Sequence, residues 1–187
     1  GFVSALDDAW LRVQVGRLKT VLVVSGSRSS VYCLNEHPET ACLWADGAGA
    51  AVVAASDKQG IITYKGEGYP QGWNWFPTET TTNGMYVNMD GSAVHPAVVK
   101  HIPPLIEQTC AEAGIQIKDI DWFIPHQATL RMINKVMDRL GQPMSKCFTT
   151  VEKYGNTSAA SIPITYDEAR KQGKIKSGDL CAFVGFG

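Results

Sequence analysis

The run Thr20-Val21-Leu22-Val23-Val24-Ser25 does most to limit what this chain can fold into. It is rich in β-branched side chains, carries no charge and stops at Gly26, the pattern of a strand buried on both faces. A helical pattern precedes it, with Phe2, Leu6, Ala9, Trp10 and Val13 on one face and an end near Gly16. A helix feeding a doubly covered strand places the chain in the layered α/β class. Ala41 to Ala45 and Ala48 to Ala55 read as two further strand pieces around Asp46-Gly47-Ala48-Gly49, where glycine permits a bulge or a close backbone approach. Gly66 to Gly91 has no sustained period, holds two of the five tryptophans and reads as a long loop. His95-Pro96 opens a helix that runs to about Ala113 and closes at Gly114. Asp121 to Pro125 is a short apolar strand, and helix and strand alternate from there to Leu180–Val184.

With 187 residues, 44% hydrophobic and 19% charged, the chain can bury one good core and belongs to neither the disordered nor the fibrous class. Its net charge of -1 provides no global field for nucleic acid, so an acidic partner must meet a local basic patch. Every apolar run falls short of the roughly 20 residues that span a bilayer, and no charged segment leads a signal-like stretch. The expectation is a cytosolic location, with neither nucleic acid nor membrane as partner. Cys33, Cys42, Cys110, Cys147 and Cys181 are an odd, widely spaced set without a C-x-x-C pair, and they read as buried free thiols rather than metal ligands. Gly1-Phe2 opens a helix without a capping residue, and Gly185-Phe186-Gly187 closes the sequence where a glycine turn ought to lead into a partner strand. Further chain is expected on both sides.

Two stretches carry chemistry. In Trp122-Phe123-Ile124-Pro125-His126-Gln127-Ala128-Thr129-Leu130-Arg131 a buried strand ends at a proline, and His126-Gln127 sits at its C-terminal edge, where α/β folds present site residues. A strand-end histidine also serves as a local cap or packing group. In Lys153-Tyr154-Gly155-Asn156-Thr157-Ser158-Ala159-Ala160-Ser161 an asparagine stands between a glycine turn and a helix of small residues. Small residues allow close packing, and Asn156 is placed either to aim its amide into a cleft or to act as a turn or capping residue.

In the order Asp46-Gly47-Ala48-Gly49-Ala50-Ala51, Pro125-His126-Gln127-Ala128, Gly155-Asn156-Thr157-Ser158-Ala159-Ala160-Ser161 and Gly185-Phe186-Gly187, the sequence resembles the β-ketoacyl-acyl carrier protein synthase III family over nearly its whole length. The resemblance implies a thiolase-like, layered αβαβα fold, here incomplete. Residues 1–57 would finish its N-terminal half and 58–187 would form most of its C-terminal half. It implies a homodimer, acyl-CoA and malonyl-acyl carrier protein as substrates, acyl carrier protein as partner, and no cofactor. The family's nucleophilic cysteine lies in Ala-Cys-x-Gly-Phe, which puts it just before Gly1, and none of the five cysteines present corresponds to it. His126 and Asn156 would hold the enolate oxygen formed by decarboxylation, and a backbone N–H of the closing glycine turn, at or just beyond Gly187, would form a second oxyanion site. Two other readings fit the same scaffold: an acyltransferase that never decarboxylates, and a cysteine-less partner subunit.

Thr129 stands where the family commonly has asparagine, and its hydroxyl suits it to cap the helix after His126. On that helix Arg131, Lys135 and Arg139 recur every four residues opposite Leu130, Ile133, Met137 and Leu140, giving a basic face and an apolar one. Such a stripe is either an ordinary solvated face or, through the resemblance, the docking site of the acidic carrier protein. Trp73-Asn74-Trp75 either shapes an entrance to the site or packs a surface loop.

Overall fold

The computed structural model describes residues 1–32, 38–81 and 84–187. The helices are α1 (Phe2–Gln14), α2 (Pro38–Ala41), α3 (Gly91–Glu112), α4 (Leu130–Arg139), α5 (Val151–Tyr154) and α6 (Ser161–Lys171). The strands are β1 (Thr20–Arg28), β2 (Asp46–Ala54), β3 (Thr78–Thr81), β4 (Gly84–Val87), β5 (Trp122–Pro125) and β6 (Cys181–Val184). β1 and β2 pair antiparallel from Thr20↔Ala54 to Arg28↔Asp46, β3 and β4 form a short antiparallel hairpin, and β5 and β6 pair parallel from Trp122↔Cys181 to Pro125↔Val184.

Side-chain alternation along the strands stacks these pieces into layers. Phe2, Leu6 and Ala9 of α1 and Ile162 and Ala169 of α6 bury against Val23 of β1 on one side and Ile124 of β5 on the other, so the two helices fill the space between two sheets. The next residues along the parallel pair, Phe123 and Val184, point the opposite way into a second core. There they meet Val98, Ile102 and Ile106 of α3 and Met132, Val136 and Met137 of α4. The order is therefore β1–β2, then α1 with α6, then β5–β6, then α3 with α4. β5 is buried on both faces, as its sequence predicts.

β1 is not. Leu22 and Val24 are each 64% exposed and Val52 of β2 is 66% exposed, because α1 covers only the face bearing Val23. The β-branched run reports strand propensity, and within the described residues the face bearing Leu22 and Val24 stays exposed. Ala41 to Ala45 is not a strand either. It holds the end of α2, a turn that leaves Cys42 exposed, and a single parallel bridge from Trp44 to Asn156. Within Gly66 to Gly91 the chain makes a short 3-10 turn at Pro70–Gly72 and the β3–β4 hairpin. α3 starts earlier than the His95-Pro96 signal, at Gly91, because Asp90 caps it: its carboxylate accepts from the N–H groups of Ser92 at 3.0 Å and Ala93 at 3.1 Å. Cys33 lies outside the described residues.

The glycines of β2 set the distance between layers. A Cβ on Gly49 would stand 2.8 Å from Cβ of Pro163, and one on Gly47 would stand 2.9 Å from Ile164 and Thr157. The start of α6 thus lies directly on bare backbone. Gly49→Ala is expected to destabilise the full-length protein by about 1–3 kcal/mol through overpacking. Gly26→Ala, whose Cβ would meet only Ala48 at 3.9 Å, should be close to neutral. Denaturant melts of the two variants compare them, and equal stabilities would contradict this packing.

Candidate active site

The C-terminal ends of β5 and β6 meet the first turns of α1 and α6. His126 extends the strand pair by one rung, its N–H donating to the carbonyl of Val184 at 2.7 Å. Being two residues past Ile124, it faces the same helical layer, and its Nδ1 lies 2.8 Å from Oγ of Ser161 at the start of α6. Phe186 packs edge-on against the imidazole, with ring centroids 4.9 Å apart. Gly185, the residue before Phe186, rests on the opening turns of both helices, where an added Cβ would stand 3.2 Å from Val3 and 3.7 Å from Ile162.

Asn156 arrives from the other direction. Gly155 turns the chain with φ +67°, and a Cβ there would press on Ala45 at 3.2 Å. The backbone of Asn156 is tied twice to the segment before β2, donating to the carbonyl of Leu43 at 3.0 Å and accepting from the N–H of Ala45 at 2.9 Å. Its side chain is buried, and Oδ1 accepts from the N–H of Ser158 at 2.9 Å. With the oxygen engaged in that turn, the donors of Nδ2 remain for a ligand. Ser158 is the single non-glycine residue with positive φ, +53°, among the described residues. Strain of this kind is held at places where the surrounding structure fixes it.

Gln127 joins the two arms. Its side chain is completely buried, its Nε2 donating to the carbonyl of Pro125 at 2.7 Å. Its Oε1 accepts from the N–H groups of Thr150 at 2.8 Å and Val151 at 3.2 Å, which caps α5 from outside that helix. Thr150 cannot cap α5 with its own hydroxyl, which bonds to that of Thr165 at 2.6 Å. Gln127 and Ser161 both lie inside the quoted motifs, yet their spacing gave no sign that they hold His126 and Asn156 in place. Only the fold brings them together.

Burial dominates the electrostatics. It lowers the pKa of His126 to about 4, partly offset by the carbonyl of Ser158 facing the ring, so the imidazole is neutral at pH 7. The same cause pushes the thiols of Cys147 and Cys181 up to about 12 and about 11 and raises that of Cys110, and none of these three is primed as a nucleophile. Among the described residues no group of three or more His, Cys, Asp or Glu side chains gathers to hold a metal ion, and no helix is long and apolar enough to cross a membrane.

Beside the site, α4 begins at a capped end, Thr129 accepting from the N–H of Met132 at 3.2 Å. Arg131, Lys135 and Arg139 are exposed along one face, while Ile133, Met137 and Leu140 are buried, together with Met132 and Val136. Leu130 is half-buried, and Lys135 stands 3.9 Å from Asp138. Gly187 is exposed. Trp73 is 84% exposed. Trp75 packs against Tyr69, whose ring in turn lies on His101.

A strand end, two helix starts and a buried amide turn thus converge at one end of a layered α/β fold. The chain belongs to the 3-oxoacyl-[acyl-carrier-protein] synthase III family, matching that family over residues 1–68 and its C-terminal region over residues 110–187. It is 38% identical to a β-ketoacyl-[acyl-carrier-protein] synthase III of Halalkalibacterium halodurans, a match that takes in 100% of this chain and 59% of that protein. The crystal structure of the synthase III from Aquifex aeolicus superposes with a TM-score of 0.92 at 35% identity, over 98% of this chain and 59% of that one. The priming β-ketosynthase of the R1128 polyketide pathway superposes at 0.90 with 31% identity, over 100% of this chain and 59% of that one. The chain thus spans about three fifths of the length of the relatives it matches.

His126 gives a pH signature. Its folded pKa, about 4, lies below the ordinary value of 6.5, so the unfolded chain takes up the proton first as the pH falls. This group's contribution is complete above pH 6.5 and is lost progressively down to about pH 4, an expected loss of about 3 kcal/mol. Denaturant melts of the full-length protein at pH 7.5 and 4.5 should show a smaller drop for His126→Asn than for the wild type. Equal drops would place the imidazole in a solvated setting.

Proposed function

We propose that the protein carries out a decarboxylative Claisen condensation between an acyl-CoA primer and malonyl-acyl carrier protein, with His126 and Asn156 as paired neutral donors to the enolate oxygen. The supporting observation is their common end of the fold: a buried, uncharged imidazole and a buried amide whose oxygen is already engaged. In the first half-reaction a cysteine thiolate takes the acyl group and coenzyme A leaves as its thiolate. The family resemblance puts that cysteine one residue removed from Gly1 on its N-terminal side, near the positive end of the α1 dipole, where a lowered thiol pKa is expected. In the second half-reaction malonyl thioester loses carbon dioxide, the enolate carbon attacks the acyl carbonyl, and the cysteine sulfur is expelled.

Two neutral donors suit the second step. Charge develops on the thioester oxygen only as carbon dioxide departs, and donors already held in place stabilise that charge more than they stabilise the ground state. A backbone N–H of the glycine turn at or after Gly187 serves the tetrahedral intermediate in the same proposal. The exposed face of Arg131, Lys135 and Arg139, on the helix that starts beside the site, receives the acidic carrier protein. The homodimer, the cytosolic setting and the absence of a cofactor rest on the family relationship. The reaction serves fatty acid or related polyketide biosynthesis in this proposal, and a priming ketosynthase of a polyketide pathway among the structural relatives supports keeping both.

In the full-length protein His126→Ala or Asn156→Ala should cut decarboxylation on the order of 10²-fold and leave acyl loading of the cysteine nearly intact. An equal fall in both half-reactions would contradict the assignment. Arg131→Glu should raise KM for malonyl-acyl carrier protein and leave kinetics with the coenzyme A primer unchanged, with the wild-type KM rising as salt screens the contact. Unchanged carrier-protein kinetics at low salt would mark the stripe as a solvated face.

A further inference from the structure

The hydroxyl of Ser161 sits between two groups of the strand end. It accepts from the N–H of Gln127 at 3.2 Å and lies 2.8 Å from Nδ1 of His126. The residue is 1% exposed, so bulk water does not serve it. An amide N–H is always a donor, so Oγ accepts there, and the hydroxyl has one hydrogen to give. Were Nδ1 protonated, two donors would converge on Oγ, and among the described hydrogen bonds its own hydrogen would have no acceptor. A buried donor left unmade costs about 1–3 kcal/mol. Donation from Ser161 to Nδ1 satisfies all three groups and puts the proton of the neutral ring on Nε2.

We propose that Ser161 is a positioning residue that fixes His126 as the Nε2–H tautomer, and that it thereby makes the outward ring nitrogen a donor. The inference rests on the reading of His126 as a donor to the enolate. It ties both donors to one turn: the N–H of Ser158 engages Oδ1 of Asn156 and leaves Nδ2 for the ligand, while three residues later the hydroxyl of Ser161 does the same for the imidazole. The carbonyl of Ser158 also faces the ring.

The test is a two-bond 1H–15N correlation spectrum of the full-length protein labelled with 15N-histidine, with the His126 signals identified by their loss in His126→Asn. The wild type should show the Nε2–H pattern. Ser161→Ala should shift it towards Nδ1–H and lower decarboxylation on the order of 10²-fold, with acyl loading retained. Ser161→Thr, which keeps the hydroxyl, should restore both tautomer and rate. A wild-type Nδ1–H pattern overturns the proposal even if the alanine variant does not fold, and so does an unchanged Nε2–H pattern in Ser161→Ala. A tautomer shift with full decarboxylation upholds Ser161 as the tautomer-setting group and overturns the enolate role of His126.

Discussion

Gln127, through its side chain and its backbone, ties together three pieces of chain. Its nitrogen holds the carbonyl of Pro125 at the end of the strand that delivers His126, its oxygen holds the start of the short helix before Asn156, and its backbone N–H reaches the first residue of α6. In a completely buried setting none of these bonds is exchanged for water. Removing the side chain would strand a carbonyl and two N–H groups, each costing about 1–3 kcal/mol. Polar satisfaction therefore joins apolar packing in fixing the register of His126 relative to Asn156. A buried network whose members are all partnered rigidifies a site in just this manner.

The apolar layers bring that network to the right depth. α1 and α6 are sandwiched between two strand pairs, and α6 approaches β2 across Gly47 and Gly49 so closely that a methyl group would collide. The small residues after Asn156 serve the same approach: Ala160 is completely buried, and Ser161 nearly so. Helix starts and strand ends then share one edge, where unsatisfied N–H groups and a helix dipole favour developing negative charge. The imidazole, buried and neutral, adds no charge there that burial would penalise.

Much of this was legible in the sequence because it depends on local pattern. The strand end at His126, the turn at Gly155-Asn156, the cap at Thr129 and the two faces of α4 follow from short-range propensity and periodicity, and the structure has each of them. The glycines of β2 were read as a close approach, though not against which helix. What stayed hidden depends on contacts distant along the chain. The β-branched run at Thr20 announced a strand and not the exposure of Leu22 and Val24 within the described residues, and Trp44 gave no hint that its segment pairs with Asn156. Gln127 and Ser161 are separated by 34 positions, and no spacing rule links an amide at a strand end to a hydroxyl at a later helix start.

The central claim is that His126 and Asn156 act on one oxygen. A double-mutant cycle on malonyl-acyl carrier protein decarboxylation tests it, comparing His126→Ala, Asn156→Ala and the pair in the full-length protein. If both donors serve the same developing charge, losing the second should cost far less than losing the first, so the pair should be only slightly slower than the worse single variant. Strictly multiplicative losses would mean two independent roles and would contradict the account.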